Sequence, residues 1–376
     1  DDGVDGILVI YTPRVFAGTM DLAQAMIEVS RKASKPVIVT WIGGAHAAEG
    51  RLILLRNNIP AYATPEEAVK TYYYMYLYHR NHGLIYETPA EVAASGIPLM
   101  NYLKTAVKKA LKEGKHILPG QFALDLLRNY RIDTVSTVVV TNAEQVRSDI
   151  RNVGLPLSLT IRPLHEDREE RVISLTAEED VDEACREARQ RLAAQDVEII
   201  LQKQPAQNFY RLKLESRRDP EFRTVLFLRS DGEAPQDLSI GLPPLNQTLA
   251  RRLLEGVALY PVLKKSDAGK QTLSRLEYAL LSFSNLVADF AEIESIELVL
   301  SVGESKLLAG EVKMILAPNP VDSSSYPHLA ITPYPSHYIT TWTLPDGAEV
   351  LLRPVRPEDK RMSQEMLAAL SEETLR

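Results

Sequence analysis

Two acidic residues in the last third of the chain are candidates for metal chemistry. Glu297 and Glu311 each lie in a run of apolar residues that predicts a β-strand. If those strands are neighbours, the two side chains could bind a divalent cation, because Mg²⁺ prefers oxygen ligands. One carboxylate alone would hold Mg²⁺ weakly. Unpaired carboxylates left from a lost site are the alternative, and we favour that interpretation.

Three other features carry residue types found in ligand sites, and each has a simpler structural explanation. Several lysines share one predicted helix face and could attract phosphate groups, although a solvated surface is favoured. They are Lys104, Lys108, Lys109, Lys112 and Lys115. The tyrosines of residues 72–78, close to Arg80, could stack on bases, but their helical spacing favours packing. Residues 266–270 and 303–306 combine Gly and Lys without Walker spacing and predict turns.

The composition limits the classes of function. At about 150 residues per domain, the 376 residues predict roughly two or three domains. Lys and Arg number 43 against 50 Asp and Glu, and the resulting net charge of −7 does not draw the chain to nucleic acid. No apolar run approaches the roughly 18 residues of a membrane span, and Cys185 is the single cysteine. We therefore expect a soluble cytoplasmic protein without nucleic-acid or membrane partners.

Both ends of the sequence have the character of internal positions. Residues 1–5 contain neither an initiator Met nor a basic or apolar leader. Residues 373–376 continue a helical pattern without a Gly or Asn cap. We expect the sequence to be part of a longer protein.

Residues 1–82 have the pattern of a doubly wound parallel sheet. Apolar runs at 6–12 and 37–41 predict parallel strands that are covered on both faces. The helix between them is expected to begin at Asp21 as its N-cap, and a later helix at Pro65. Because such sheets commonly have more strands than this segment supplies, we predict a partial sheet.

An α+β region is predicted to follow. Residues 83–97 mix Gly, Pro, Thr and Ser without periodicity and predict a linker. In residues 98–317, short strands cluster between helices, and Asn142 is expected to be the N-cap of a helix at 143–153. Residues 318–340 are rich in Pro and Ser and predict a second linker.

The last segment, residues 341–376, is too short to be a domain of its own. It predicts a β-hairpin that turns at Pro345-Asp346-Gly347. An amphipathic helix carrying Met362, Met366 and Leu367 is expected to follow.

Short motifs in these three parts resemble one family arrangement. Trp41-Ile42-Gly43-Gly44 and Ile59-Pro60-Ala61-Tyr62-Ala63 resemble the last half of the flavodoxin-like CoA-ligase domain of NDP-forming acyl-CoA synthetases. Leu242-Pro243-Pro244-Leu245-Asn246 resembles the ATP-grasp region of the same family. Leu344-Pro345-Asp346-Gly347, together with Leu352-Arg353-Pro354-Val355-Arg356, resembles the junction into a GNAT acetyltransferase domain. This order is similar to that of protein lysine acetyltransferases of the Pat type.

The resemblance implies an α/β fold class with two parts. The first is the C-terminal part of a flavodoxin-like, succinyl-CoA synthetase-like parallel sheet, at residues 1–82. The second is an ATP-grasp-like α+β domain at 98–317, and the start of a GNAT domain is implied at 341–376. The family's GNAT pyrophosphate motif would lie beyond this sequence, so the fragment is expected not to acetylate.

The resemblance also implies a nucleotide site, from whose pattern this chain departs. Thr160 stands where the family has a phosphate-binding Lys, and the family's Gly-rich segment corresponds to Arg229, Asp231 and Gly232. With Gln202, these positions form the degenerate nucleotide site that the resemblance implies. Glu297 and Glu311 then mark a weak, vestigial metal site, and the family's Asn at this motif is replaced by Val299.

The family's phosphate relay is not implied for this sequence. Its phosphohistidine belongs to a part of the family's chain that should precede Asp1. His165 lies in a charged loop that replaces the family's His-Lys-Ser-Asp motif, and we expect it to be a surface group. We therefore expect no turnover of ATP and no tight binding of Mg-ATP, and no catalytic residue is assigned.

Three hypotheses for the function follow. The leading one is a non-catalytic, ligand-sensing regulatory region of a GNAT protein acetyltransferase, with CoA, acyl-CoA or another small molecule as effector. Its partners would be the fused GNAT domain, the protein substrate of the parent enzyme and further copies in a homo-oligomer. The alternative is a working NDP-forming acyl-CoA ligase. The third is a scaffold for oligomerisation.

Overall fold

The computed structural model describes most of the chain in two compact units. The described residues are 3–12, 18–85, 87, 89, 100–140, 142, 144–163, 170–193, 197–205, 209–231, 237–265, 267–303, 306–317, 326–356 and 359–371. The two units are Asp1–Glu87 and Thr88–Arg376.

The first unit is a small α/β layer structure. Its described elements are β1 (Ile7–Tyr11), α1 (Thr19–Lys32), β2 (Val37–Trp41), α2 (Ala45–Arg56), β3 (Ala61–Tyr62) and α3 (Pro65–Ile85). The strands form a parallel sheet in the order β1-β2-β3. The buried side chains of Ile27, Val39, Trp41 and Leu54 form its core. The apolar runs therefore predicted the parallel sheet correctly. The expectation that both strands are covered on both faces is wrong for β1, where Ile7, Leu8 and Ile10 are 40 to 56% exposed within this unit.

Only one of the two predicted helix starts in this unit agrees with the structure. Helix α3 begins at Pro65 as predicted, and the Thr64 hydroxyl accepts a hydrogen bond from the Glu67 N–H at 3.4 Å. The prediction of Asp21 as an N-cap is wrong, because α1 begins at Thr19 behind Gly18. Asp21 lies in the first turn instead, where its charge still favours the helix dipole.

The second unit contains two antiparallel sheets and the helices that cover them. Its described helices before residue 318 are α4 (Met100–Lys112), α5 (Gly120–Asn129), α6 (Val146–Val153), α7 (Glu179–Ala193), α8 (Gln247–Glu255), α9 (Leu259–Leu263) and α10 (Asp267–Asp289). The strands are β4 (Thr137–Val140), β5 (Leu157–Pro163), β6 (Arg171–Leu175), β7 (Val197–Lys203), β8 (Tyr210–Asp219), β9 (Arg223–Ser230), β10 (Leu238–Gly241), β11 (Ile293–Val302) and β12 (Leu307–Leu316).

The two sheets have separate cores. The smaller sheet has the order β4-β7-β5-β6, and its apolar face packs on α6 and α7 through Leu157, Leu159 and Ile161. The larger sheet has the order β10-β9-β8-β11-β12. Its apolar face forms the largest cluster of buried side chains, with Phe283 and Phe290 fully buried. Both sheets are antiparallel, in agreement with the predicted α+β region.

The sequence misplaced some local elements here. Strand β10 and helix α9 were not predicted, because both are short and their apolar pattern is brief. Asn142 is not the predicted N-cap. Its side chain accepts the Glu144 N–H at 2.9 Å in a turn, and α6 begins later, at Val146.

Replacing Asn246 with alanine tests one local signal that the sequence shares with the structure. The Asn246 Oδ1 accepts the Leu249 N–H at 2.9 Å as the N-cap of α8. We expect the free energy of unfolding to fall by about 1 kcal/mol in chemical denaturation. The control Gln247→Ala, at an exposed first-turn position, should change it by no more than about 0.5 kcal/mol. Equal stability of the two variants would contradict this role.

The chain ends in a hairpin and a helix. These elements are β13 (Thr340–Thr343), β14 (Glu349–Leu352) and α11 (Lys360–Ala369), with a 3₁₀ turn at Ser336–Tyr338. The predicted turn at residues 345–347 is confirmed, with Gly347 at a φ of 87°. The Arg353 guanidinium pairs with Asp359 at 2.6 and 2.7 Å and, with the Arg356 N–H, lowers the pKa of Asp359 to about 2. Among the described residues, no helix is both long and apolar enough to cross a bilayer.

A candidate nucleotide-type site with its charges paired

The larger sheet carries a polar face opposite its core. On β8, Leu212 and Leu214 are buried in the core, while Arg211 and Lys213 alternate with them on the other face. The β8–β9 and β8–β11 pairings bring charged residues of three strands together on this polar face. The predicted site residues on the larger sheet are arranged around these basic side chains.

Arg211 binds two carboxylates at once. Its Nε donates to Asp231 at 2.5 Å, and its Nη2 donates to the two Glu311 oxygens at 2.9 and 3.1 Å. Burial alone would lower the Arg211 pKa, but the hydrogen bond to Asp231 and the interactions with Glu311 outweigh burial and raise it. We call Arg211, Asp231 and Glu311 the arginine cluster. Its central cation lies where two carboxylates could otherwise bind a metal ion.

The second acidic position is paired as well. Lys213 forms an ion pair with Glu297, the neighbouring candidate carboxylate on β11. Our expectation of unpaired carboxylates at Glu297 and Glu311 is therefore wrong, because Lys213 and Arg211 reach them from β8. Within the described residues, no group of three or more His, Cys, Asp or Glu side chains is placed to hold a metal ion. The donor set does not fit a bound Mg²⁺ in this arrangement.

Gln202 joins the smaller sheet to the larger one. Its side chain is 5% exposed, and its Nε2 donates to Thr137 Oγ1 at 3.3 Å. Its Oε1 accepts the main-chain N–H of Glu311 at 3.0 Å. Glu311 has a φ of 50° beside an irregularity in the β11–β12 pairing, which turns its N–H toward this partner. The predicted position Gln202 therefore has a structural partner on each sheet.

Thr160 is buried in the middle of the smaller sheet. It lies on β5 opposite Val172 on one side and Ile200 on the other, and only 4% of the residue is exposed. It supplies no charge for a phosphate group. A neutral residue inside the sheet thus occupies the position that the resemblance assigns to a phosphate-binding Lys.

Arg162 is a cation that the sequence analysis did not single out. It follows Thr160 by two residues on the same face of β5 and is 4% exposed. Its Nε donates to Glu170 at 2.9 Å, and its Nη1 has no hydrogen-bond partner among the described residues. The only available signal was the alternation Ser158, Thr160, Arg162 along a predicted strand, which does not reveal burial or pairing.

The remaining predicted positions contribute less. Arg229 lies on β9 opposite Lys213, is exposed, and has no ion pair with the described residues. Gly232 and His165 lie outside the described residues. The charged loop around His165 is outside them except for Glu170.

The structure also shows how exposed the lysines of α4 and the tyrosines of α3 are. Four of the five lysines on and just after α4 are exposed, and Glu113 pairs with Lys115 at 2.9 Å and with Lys109 at 3.8 Å. The fifth, Lys104, is half-buried with its ammonium 6.0 Å from the centre of the Phe290 ring. The expectation that the tyrosines of α3 are packing residues is wrong for four of them. Within the first unit, Tyr73, Tyr74, Tyr76 and Tyr78 are 51 to 73% exposed.

The match to a known family agrees with this arrangement of two antiparallel sheets. Residues 109–316, more than half of the chain, match the model of the ATP-grasp domain family. The chain belongs to the ATP-grasp family.

Two curated relatives of this chain are named as ADP-forming CoA ligases. The chain is 21% identical over 310 residues to an ADP-forming 4-hydroxybutyrate–CoA ligase of Nitrosopumilus maritimus, covering 78% of this chain and 43% of the relative. It is 23% identical over 267 residues to an ADP-forming acetate–CoA ligase of Methanocaldococcus jannaschii, covering 65% of this chain and 37% of the relative. The chain thus spans less than half the length of these curated relatives.

The chain is also similar to a solved structure. The acetyl-coenzyme A synthetase 1 of Ca. Korarchaeum cryptofilum, in complex with coenzyme A and Ca-AMPCP, is 20% identical with a TM-score of 0.49. The overlap covers 57% of this chain and 99% of that one.

Proposed function

We propose that this chain is a non-catalytic, acyl-CoA synthetase-like regulatory region of a GNAT-family protein acetyltransferase. The observation that carries the proposal is the arginine cluster, in which the chain's own guanidinium neutralises the carboxylates of the candidate metal site. The buried neutral Thr160 supports the same conclusion from the other sheet.

The charge balance of the site argues against ATP turnover. An ATP-grasp reaction needs cations free to bind phosphate oxygens and carboxylates free to bind Mg²⁺. Here Arg211 and Lys213 are engaged by Asp231, Glu311 and Glu297. A nucleotide with its metal would have to displace these internal ion pairs before it gained contacts of its own. The residues present therefore do not fit Mg-ATP.

The proposed regulatory role is supported by the elements that follow the ATP-grasp region. The hairpin β13–β14 and helix α11 follow the ATP-grasp region, as the resemblance to a GNAT entry implies. Neither the strand β13 nor the helix α11 contains a buried residue within the described part of the chain. A region of this kind would bind CoA, acyl-CoA or another small effector and favour one of two conformations of the enzyme.

Titration of the whole chain with Mg-ATP in a calorimeter tests the proposal. We expect no saturable heat at nucleotide concentrations up to about 1 mM, because both carboxylates of the candidate metal site are already paired with Arg211 and Lys213. Titration with acetyl-CoA, under the same conditions, tests the sensing role and should give saturable heat. Binding of Mg-ATP at low micromolar affinity would contradict the assignment. Failure of both titrations would remove the ligand-sensing part and favour the scaffold.

A working ADP-forming acyl-CoA ligase is the second candidate. The two curated relatives are named as such ligases, and Glu297 and Glu311 are still carboxylates on adjacent strands. Formation of acetyl-CoA from acetate, ATP and CoA by the full-length protein would decide for this candidate. We expect no product above the level given by the protein-free mixture.

A further inference from the structure

A short segment between the larger sheet and the terminal hairpin is fastened to the sheet through its backbone. We call residues 326–335 the strap. The carbonyl of His328 accepts the Thr224 N–H at 3.0 Å and the Thr224 hydroxyl at 2.8 Å. Nη1 of Arg223 donates to the carbonyls of Pro327 and Leu329 at 3.1 and 3.0 Å. These contacts hold the strap against the first residues of β9.

Two side chains insert from the strap into the protein. Leu329 is 1% exposed and His328 is 4% exposed. The His328 Nε2 lies 2.9 Å from the carbonyl oxygen of Val287 on α10, so Nε2 carries the proton that makes this hydrogen bond. Nδ1 has no hydrogen-bond partner among the described residues. The docked ring is therefore neutral, and a proton on Nδ1 would have no acceptor there.

The positive charge of Arg218, close to the His328 ring, opposes protonation of that ring. Arg218, at the end of β8, donates to the carbonyl of Ala291, and its buried Nε has no partner in the described part of the chain. Burial lowers the pKa of His328 and Arg218 lowers it further. The Val287 carbonyl, Glu292 and the Ala288 carbonyl act in the opposite direction and are outweighed.

The other elements packed against His328 contribute few groups that could stabilise a protonated ring. Helix α10 acts on the pKa of His328 through the main-chain carbonyls of Val287 and Ala288. Glu294 acts on Arg218, and Arg223 of β9 is engaged with the two strap carbonyls beside the histidine. A protonated ring would thus be a buried cation next to an arginine, with one N–H unsatisfied.

We propose that His328 makes the strap an acid-released latch, in which protonation expels the ring and frees residues 326–331 from β9 and α10. Release of the strap would also affect the terminal hairpin, because the strap continues directly into it. There Tyr334 holds the hairpin by donating to the Pro354 carbonyl at 2.6 Å, and Arg356 lies over its ring. Acid would therefore loosen the attachment of the hairpin and helix α11 to the ATP-grasp region.

The direction of the pH dependence follows from the two states of the histidine. A released His328 titrates near 6.5, whereas docking holds the pKa of the ring below that value. The released state therefore binds more protons between these two pKa values. Docking is at full strength above about pH 6.5 and weakens as the pH falls toward the docked pKa.

Hydrogen exchange of the full chain tests the latch. The amides to follow are those of Thr224, bonded to the His328 carbonyl, and Leu329, bonded to the Tyr326 carbonyl. After correction for intrinsic exchange rates, we expect their protection to fall about tenfold between about pH 7.5 and about pH 5.5. Amides of β11 in the core should keep theirs. Unchanged protection of the strap would overturn the proposal.

Matched variants separate the latch from general acid sensitivity. His328→Gln keeps a donor for the Val287 carbonyl but takes no proton, so strap protection should no longer depend on pH. His337→Gln, at an exposed site on the 3₁₀ turn, should retain the wild-type response. If His328→Gln responds to acid as the wild type does, the histidine is not the latch.

A second variant covers the case in which His328→Gln fails to dock at neutral pH. Arg218→Gln removes the neighbouring cation and should reduce the acid response about threefold or more, since the charged ring is then better tolerated. An unreduced response in Arg218→Gln would also overturn the proposal.

Discussion

Replacing Thr160 with lysine is expected to lower the free energy of unfolding by about 3 kcal/mol or more, without creating affinity for Mg-ATP. Thr160 is 4% exposed between β6 and β7, and the nearby cation Arg162 occupies the same face of β5. An ammonium group would be buried there beside a like charge. Denaturation by urea and calorimetric titration with Mg-ATP measure the two effects.

Thr160→Val is the matched control for this substitution. It keeps the shape of the side chain and adds no charge, so stability should change by no more than about 1 kcal/mol. The acyl-CoA ligase candidate predicts a different result. If the position opens onto a working nucleotide site, Thr160→Lys would be as stable as Thr160→Val and would bind Mg-ATP. That outcome would reject the non-catalytic assignment.

The second large effect is expected from Arg211→Met, which should give the chain a divalent-cation site that the wild type lacks. Asp231 and Glu311 share one guanidinium, so its removal leaves two neighbouring carboxylates without their cation. The Arg211 side chain is 40% exposed, and solvent screening limits the expected loss of stability to about 1 to 2 kcal/mol. Saturating Mn²⁺ should restore a loss of this size, because binding to the folded state stabilises it.

Thermal unfolding with and without Mn²⁺ measures this effect. Wild-type protein should show no shift with Mn²⁺. Arg361→Met is the control, since it frees only Glu365 and a single carboxylate holds a metal weakly. A wild-type shift as large as that of Arg211→Met would mean that the arginine cluster does not block a metal site. No shift in Arg211→Met would mean that its carboxylates are not placed to share a cation.

The parts of the fold that depend on local pattern were predictable from the sequence. The apolar runs at β1 and β2, with a helical segment between them, indicate parallel strands, because a parallel strand that is covered on both faces is apolar throughout. Strand β2 is buried along its length, whereas β1 is largely exposed. The turn at Gly347 was predictable for a similar reason, since its φ of 87° favours glycine. Strand β10 was missed because four residues are too few for a period to be recognised.

The pairing in the candidate site was not predictable, because it depends on the registers of several strands. Arg211 reaches Asp231 through the β8–β9 pairing, while Glu311 lies on β12, two strands from β8. The bulge in the β11–β12 pairing sets the position of Glu311, and no local sequence signal specifies that irregularity. The sequence singled out Glu297 and Glu311 but not Lys213 and Arg211, which pair with them.

The bridge made by Gln202 has a mechanical consequence. Its amide oxygen is the partner of a main-chain N–H on the other sheet, and the bridge is almost wholly shielded from solvent. Separation of β7 from β12 would break the hydrogen bond between the Gln202 Oε1 and the Glu311 N–H. Each of these two groups would then cost about 1–3 kcal/mol if water did not reach it. A small molecule that binds between the smaller and the larger sheet and separates them must therefore supply a hydrogen-bond acceptor for the Glu311 N–H or let water reach that group.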